Sequence, residues 1–177
     1  MSTVQPCEVP LNSLLRQYKD KPGFADCYVA QVPGLVTQQA FIEAFYTSPL
    51  FKVERTILEY LASRPATDAD AKALAGGTAA RFSAWGIEAQ SSSELLLADF
   101  TGRTRSWLMA APATGADQQA RTLLYFGSAV VPHSSHGSQT QSMGWLFYAL
   151  MGFHRLYSRL LLSAASKRLR SLKRQVN

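Results

Sequence analysis

No Asp or Glu occurs after Asp117, and the chain closes on a segment, Met143–Arg174, whose pattern predicts one long helix. The first half of that segment is apolar and aromatic: Trp145, Leu146, Phe147, Tyr148, Ala149, Leu150 and Met151 are consecutive. The second half is basic, with Lys167, Arg168, Arg170, Lys173 and Arg174. Leu146, Leu150, Phe153, Tyr157, Leu160 and Ala164 recur at i, i+3 or i+4, which predicts one buried face over about five turns. A long half-apolar helix at the end of a chain needs a surface to lie on. The segments before it decide what that surface is.

From Arg81 onward the hydrophobic period becomes two. Arg81–Ala89, Glu94–Phe100, Arg103–Ala111 and Ala120–Val131 read as strands. Their links are short or polar, and the Thr101-Gly102 pair is a tight turn, so the strands form an antiparallel meander. Upstream, Phe24–Val32 reads as a strand closed by Pro33-Gly34. Thr37 caps a helix from Gln38 to about Tyr46, with Phe41, Ala44 and Phe45 on one face. Ser48-Pro49 starts a second helix to about Ser63, with a stripe of Leu50, Val53, Ile57, Leu58 and Leu61. Thr67-Asp68-Ala69-Asp70 resembles a capping box and opens a short helix ended by Gly76-Gly77.

The fold class this order predicts is α+β: a curved antiparallel sheet gripping the long C-terminal helix, with two or three short helices after the first strand. At 177 residues the chain fits a single domain. Within it, residues 1–23 read as a loosely packed arm, 24–166 as the core and 167–177 as a basic tail. Five strands are expected; a second boundary inside Ala120–Val131 would add one.

Charge separates the two ends. Residues 1–117 carry ten basic and twelve acidic side chains, and residues 118–177 carry eight basic and none acidic. A uniformly basic nucleic-acid binder would not divide this way. The basic tail reads as a solvated helix end whose cations complement the helix dipole, capable of weak contact with anionic surfaces. The two cysteines, Cys7 and Cys27, lack metal-ligand spacing and read as free thiols in a reducing compartment. The N-terminus has no signal-peptide pattern. The apolar run Trp145–Met151 falls short of the roughly 20 residues a spanning helix needs. A cytoplasmic location without a transmembrane segment is therefore expected.

The element order over about residues 24–174 resembles the helix-grip fold of the START and Bet v 1-like superfamily, whose sheets usually have six or seven strands. At family level, Gly144-Trp145-Leu146-Phe147-Tyr148-Ala149-Leu150 with Phe153-His154 resembles the closing helix of bacterial domain-of-unknown-function family 2867. About a dozen residues carry that likeness. It implies an internal, mainly apolar cavity for a small hydrophobic or amphipathic ligand. It also leaves room for an enzyme acting on such a ligand, a cyclase, dehydratase or hydrolase. A third reading is an interaction module that uses the basic helix.

The candidate cavity residues are Trp85, Arg105, Trp107 and Tyr125 on strands, with Leu150, Phe153, His154 and Tyr157 on the last helix. Aromatic residues with one polar handle suit small-ligand pockets, and they equally suit a solid core. His154 is either a polar group facing the cavity or a histidine bonded to nearby backbone. Arg105 either pairs with Asp99 across the Thr101-Gly102 turn or shares an inner face with Trp107 and Met109, where it could fork-bind a ligand anion. Arg55 has an i, i+4 partner in Glu59. His133 and His136 are three apart, but no Cys, Asp or Glu stands near them, so no metal is expected. Gly127 within a strand reads as a bend or bulge, and Ser128 has no base partner in the sequence. No nucleophile elbow, phosphate loop or dinucleotide fingerprint occurs, and no cofactor is expected.

Overall fold

The computed structural model describes residues 3–20, 23–62, 65–115, 118–131 and 144–176; within these, the side chains of 54, 57–62, 144–154 and 173–176 are not described. The described residues form β1 (Gln5–Pro6), α1 (Arg16–Lys19), β2 (Phe24–Pro33), α2 (Gln38–Tyr46), α3 (Pro49–Ala62), α4 (Asp68–Ala75), β3 (Arg81–Phe82), β4 (Trp85–Gln90), β5 (Glu94–Asp99), β6 (Thr104–Thr114), β7 (Ala120–Val130) and α5 (Gly144–Val176). The strands make one curved, unclosed antiparallel sheet in the order β1-β2-β7-β6-β5-β4-β3. The fold is α+β, with the long helix α5 last and short helices following the first long strand.

Two of the seven strands are absent from the sequence reading. The segment Arg81–Ala89 is divided, because Ser83 takes a left-handed φ of 53° and turns the chain between β3 and β4. Ala120–Val130 is unbroken and pairs along its length with both β2 and β6. The other added strand, β1, lies in the N-terminal arm and pairs with β2. That arm is packed rather than loose: Val9 and Leu15 are buried, Leu15 completely.

Side-chain alternation divides the sheet into two dry faces. On one, Tyr28, Ala30, Val32, Leu95, Leu97, Leu108, Leu124 and Phe126 pack against α2, α3, α4 and α5. On the other, Cys27, Leu96, Trp107 and Ala129 pack against Val9 and Leu15 of the arm. The helices are placed by capping and by specific bonds. Thr37 caps α2, Ser48 accepts from Phe51 at the start of α3, and Thr67 with Asp70 completes a capping box on α4. The Gln38 amide bridges the Leu108 carbonyl (3.0 Å) and the Ala110 N–H (2.8 Å), fixing α2 to β6. Arg55 and Lys52 both reach Asp68, at 2.8 and 2.7 Å, which ties α3 to the first turn of α4; the Glu59 side chain lies outside the described residues. Of the expected α3 stripe, Leu50 packs against the core and Val53 is 57% exposed, whereas Phe51, outside that stripe, is buried; the side chains of Ile57, Leu58 and Leu61 lie outside the described residues.

Over its described side chains, 155–172, helix α5 is rotated from the expected face. Its buried stripe is Ser158, Leu161, Leu162, Ala165, Ser166 and Leu169, while Leu156 and Leu160 are exposed. The stripe keeps the expected spacing but sits about one residue later than predicted and extends past the expected core boundary at 166. Arg170 is part of the fold too, since its guanidinium donates to the Gln31 carbonyl at 2.8 Å. Leu169→Ala is therefore expected to cost about 2–4 kcal/mol in urea unfolding, whereas Leu172→Ala, at a half-exposed position, should stay within about 0.5 kcal/mol. Equal effects would contradict this placement of the helix.

Candidate functional site

A cavity of about 260 Å³ lies between the helix face of the sheet and α5. Phe45 and Phe51 come from α2 and α3, Trp85, Ser106, Phe126 and Ser128 from the strands, and Tyr157, Ser158 and Leu161 from α5. Five aromatic side chains make up much of the wall, which also holds Ser106, Ser128, Ser158 and Thr104. Phe45 packs at a tilt on Phe126 within this wall, centroids 4.8 Å apart. Ser128 donates to the Asp26 carboxylate at 2.6 Å. This gives Ser128 an acidic partner that no local motif signals, because the pairing comes from the β2–β7 register. Next to it, burial first and the Asp26 charge second push the Tyr28 phenol up to about 12, so it stays neutral at physiological pH.

Ser158 is the distinctive wall residue. It is completely buried, and its hydroxyl has no hydrogen-bond partner among the described residues. Helical serines usually satisfy themselves on the carbonyl four residues back, as Ser166 does on Leu162 at 2.7 Å. A buried hydroxyl without a partner costs about 1–3 kcal/mol. Ser158 is one of the residues that line the apolar cavity, with its hydroxyl set just beneath the wall surface.

Of the residues expected at the site, Trp85 and Tyr157 line the cavity. Arg105 borders it, but its guanidinium serves the opposite face: it contacts Glu88 at 2.5 Å and the Tyr18 hydroxyl at 3.1 Å, and lies over the Tyr18 ring. Its expected partner Asp99 instead caps the turn, accepting from the Arg103 and Thr104 amides at 2.8 and 3.0 Å. Trp107 and Tyr125 are excluded by strand parity. They stack on each other on the arm face, 6.2 Å between centroids, and the Trp107 indole donates to Glu94 at 2.7 Å. The side chains of Leu150, Phe153 and His154 lie outside the described residues, as do His133 and His136.

Asp99 also carries a pH signature. Burial would raise its pKa, but bonds from the Thr101 hydroxyl and the Thr104 and Arg103 amides outweigh burial and hold it below the usual carboxylate range. A lowered folded-state pKa adds stability above the unfolded-state value and loses it as pH falls through the folded one. Asp99→Asn should therefore flatten part of the stability loss on acidification below about pH 4. An unchanged acid limb would contradict the turn-capping role.

Sequence reading missed Phe45, Phe51, Ser106, Ser128 and Ser158 as cavity residues. Ser158 had a signal: a small polar residue at i, i+3 and i+4 to Leu161 and Leu162 on an apolar helix stripe. No family model matches the chain, and neither a curated protein nor a solved structure matches it. Among the described residues no helix is long and apolar enough to cross a membrane.

Proposed function

We propose that this protein binds a small apolar or amphipathic molecule in the cavity between the sheet and α5. The observation that carries the reading is the buried, unpartnered Ser158 hydroxyl in an aromatic wall. With Ser106 and Ser128 in the same wall, it offers a polar contact for a ligand hydroxyl or carbonyl in surroundings that otherwise select apolar surface. At about 260 Å³ the volume suits a molecule smaller than most drug-sized ligands. The resemblance to helix-grip proteins supports the same reading: a long strand followed by helices, then a meander and a closing helix, with the first long strand paired to the last. The catalytic alternative has less support, because Asp99 and the Arg105 guanidinium are both held by partners away from the cavity.

The test is a fluorescence titration of the full chain with medium-chain alcohols, ketones and fatty acids. Saturable quenching is expected, and Trp85→Phe should remove most of the signal while calorimetry still detects binding. Ser158→Ala should weaken alcohols and ketones by about tenfold, near the worth of one buried hydrogen bond, and leave plain hydrocarbons unaffected. Absence of saturable binding by any of these classes would overturn the reading.

A further inference from the structure

Strand β1 brings together two cysteines that lie far apart in sequence. It runs antiparallel to β2 with Gln5 opposite Val29 and Pro6 opposite Tyr28. One more step of that register sets Cys7 opposite Cys27, and the Cys7 N–H indeed donates to the Cys27 carbonyl at 2.9 Å. Both side chains lie on the arm face, in the cluster that contains Val9, Leu15 and Trp107. Both thiols are free, and the sulfurs are 3.2 Å apart.

Directly opposed residues of an antiparallel pair have Cα atoms about 4.5–5.5 Å apart, inside the span of about 4.4–6.8 Å that a disulfide bridges. Bond formation needs the sulfurs to close by only about 1 Å, to about 2.05 Å, a movement within reach of side-chain rotation. The two thiols are not equivalent. Cys7 is half-buried and Cys27 is buried. The hydrogen bond it shares with Cys27 holds the Cys7 thiol below its ordinary range, against the opposing effects of burial and Glu8. The same bond, with burial, pushes Cys27 up. Cys7 is thus the nucleophile and Cys27 the resolving thiol.

We propose that Cys7 and Cys27 form a reversible dithiol–disulfide site, oxidised by a low-molecular-weight disulfide of the glutathione type, which locks the N-terminal arm onto the sheet. The Cys7 thiolate attacks one sulfur of the small disulfide; that S–S bond breaks and one small thiolate leaves. Cys27 then gives its proton to the departing thiolate and attacks the Cys7 sulfur of the mixed disulfide, releasing the second small thiol. Two protein thiols lose two electrons and two protons, and one small disulfide becomes two thiols. The disulfide ties down the arm that carries the Leu14–Glu94 and Tyr18–Arg105 bonds.

The full chain, equilibrated with reduced and oxidised glutathione at a series of ratios and quenched with a maleimide, tests this by mass spectrometry. The expected product is a monomer lighter by two hydrogen atoms that takes up no maleimide. Its non-reducing tryptic digest should link residues 1–16 to residues 20–52. Cleavage after Arg16 and Lys19 should be about tenfold slower in the oxidised form, because the arm opens less often. Cys27→Ser should stop at the Cys7–glutathione adduct, and Cys7→Ser should leave Cys27 unmodified. A stable glutathione adduct on the unsubstituted chain, disulfide-linked dimers, or full maleimide uptake at the most oxidising ratio would each overturn the proposal.

Discussion

Gly127→Ala is expected to destabilise the protein by about 3 kcal/mol, at the upper end of the usual cost of overpacking. Gly127 sits in mid-strand with its pairing intact on both sides, opposite Cys27 and Trp107. The expected bend or bulge is therefore absent, and the residue is small for another reason. A Cβ there would lie 2.5 Å from Leu15 Cδ2, 2.8 Å from the Asp26 carbonyl oxygen and 3.1 Å from Trp107 Cε3. Leu15 can turn away, but the Asp26 carbonyl belongs to the neighbouring strand and cannot yield without disturbing the sheet. Gly127→Val should be worse. Urea unfolding checks this, and a midpoint unchanged by the alanine variant would show that the arm does not pack against bare backbone at this point.

Glu94→Met should cost a similar amount, about 3–4 kcal/mol, through hydrogen bonding rather than volume. Glu94 is buried, and one carboxylate oxygen accepts both from the Trp107 indole N–H and from the Leu14 amide, each at 2.7 Å. It therefore joins the sheet to the arm across a dry face. Methionine preserves the bulk and strands both donors. Glu94→Gln keeps an acceptor oxygen and should cost less than half as much. The near-ultraviolet circular dichroism of Trp107 should change with Met and largely survive with Gln. Equal losses for the two variants would mean that charge, not acceptor geometry, holds the arm.

The elements were legible in sequence where a local signal marks them. Thr37, Ser48-Pro49 and Thr67-Asp70 announce helix starts by capping chemistry, and all three helices begin there. The period-two runs match β5, β6 and β7 to within about three residues, while the run Arg81–Ala89 holds two strands, β3 and β4. What sequence could not supply was orientation. Parity shows that Trp107 and Ser106 face opposite ways, but not which of them faces α5. That choice is made by the arm, which covers the second face and turns Trp107 and Tyr125 from cavity wall into core. Because the arm's apolar residues are few and separated by prolines, nothing in its composition announces that it completes a layer. The face of α5 was misjudged by about one residue because its apolar residues are plentiful on several sides, so periodicity alone admits both Leu160 and Leu161. Contact with the sheet settles it in favour of Leu161. The Asp26–Ser128 pair is a product of strand register, the Arg105–Glu88 pair reaches across β5 to an irregularity in β4, and neither is a motif.

A ligand cavity under α5 can be probed by filling it. Ser106 is nearly buried on the helix face of β6 and lines the cavity. Isothermal titration of the best-binding alcohol or fatty acid into the unsubstituted chain and into Ser106→Leu compares the two. The leucine side chain is expected to occupy the void and weaken binding by at least about 30-fold, roughly 2 kcal/mol, while thermal stability is kept within a few degrees. Undiminished affinity in a folded Ser106→Leu variant would place any ligand elsewhere than under α5.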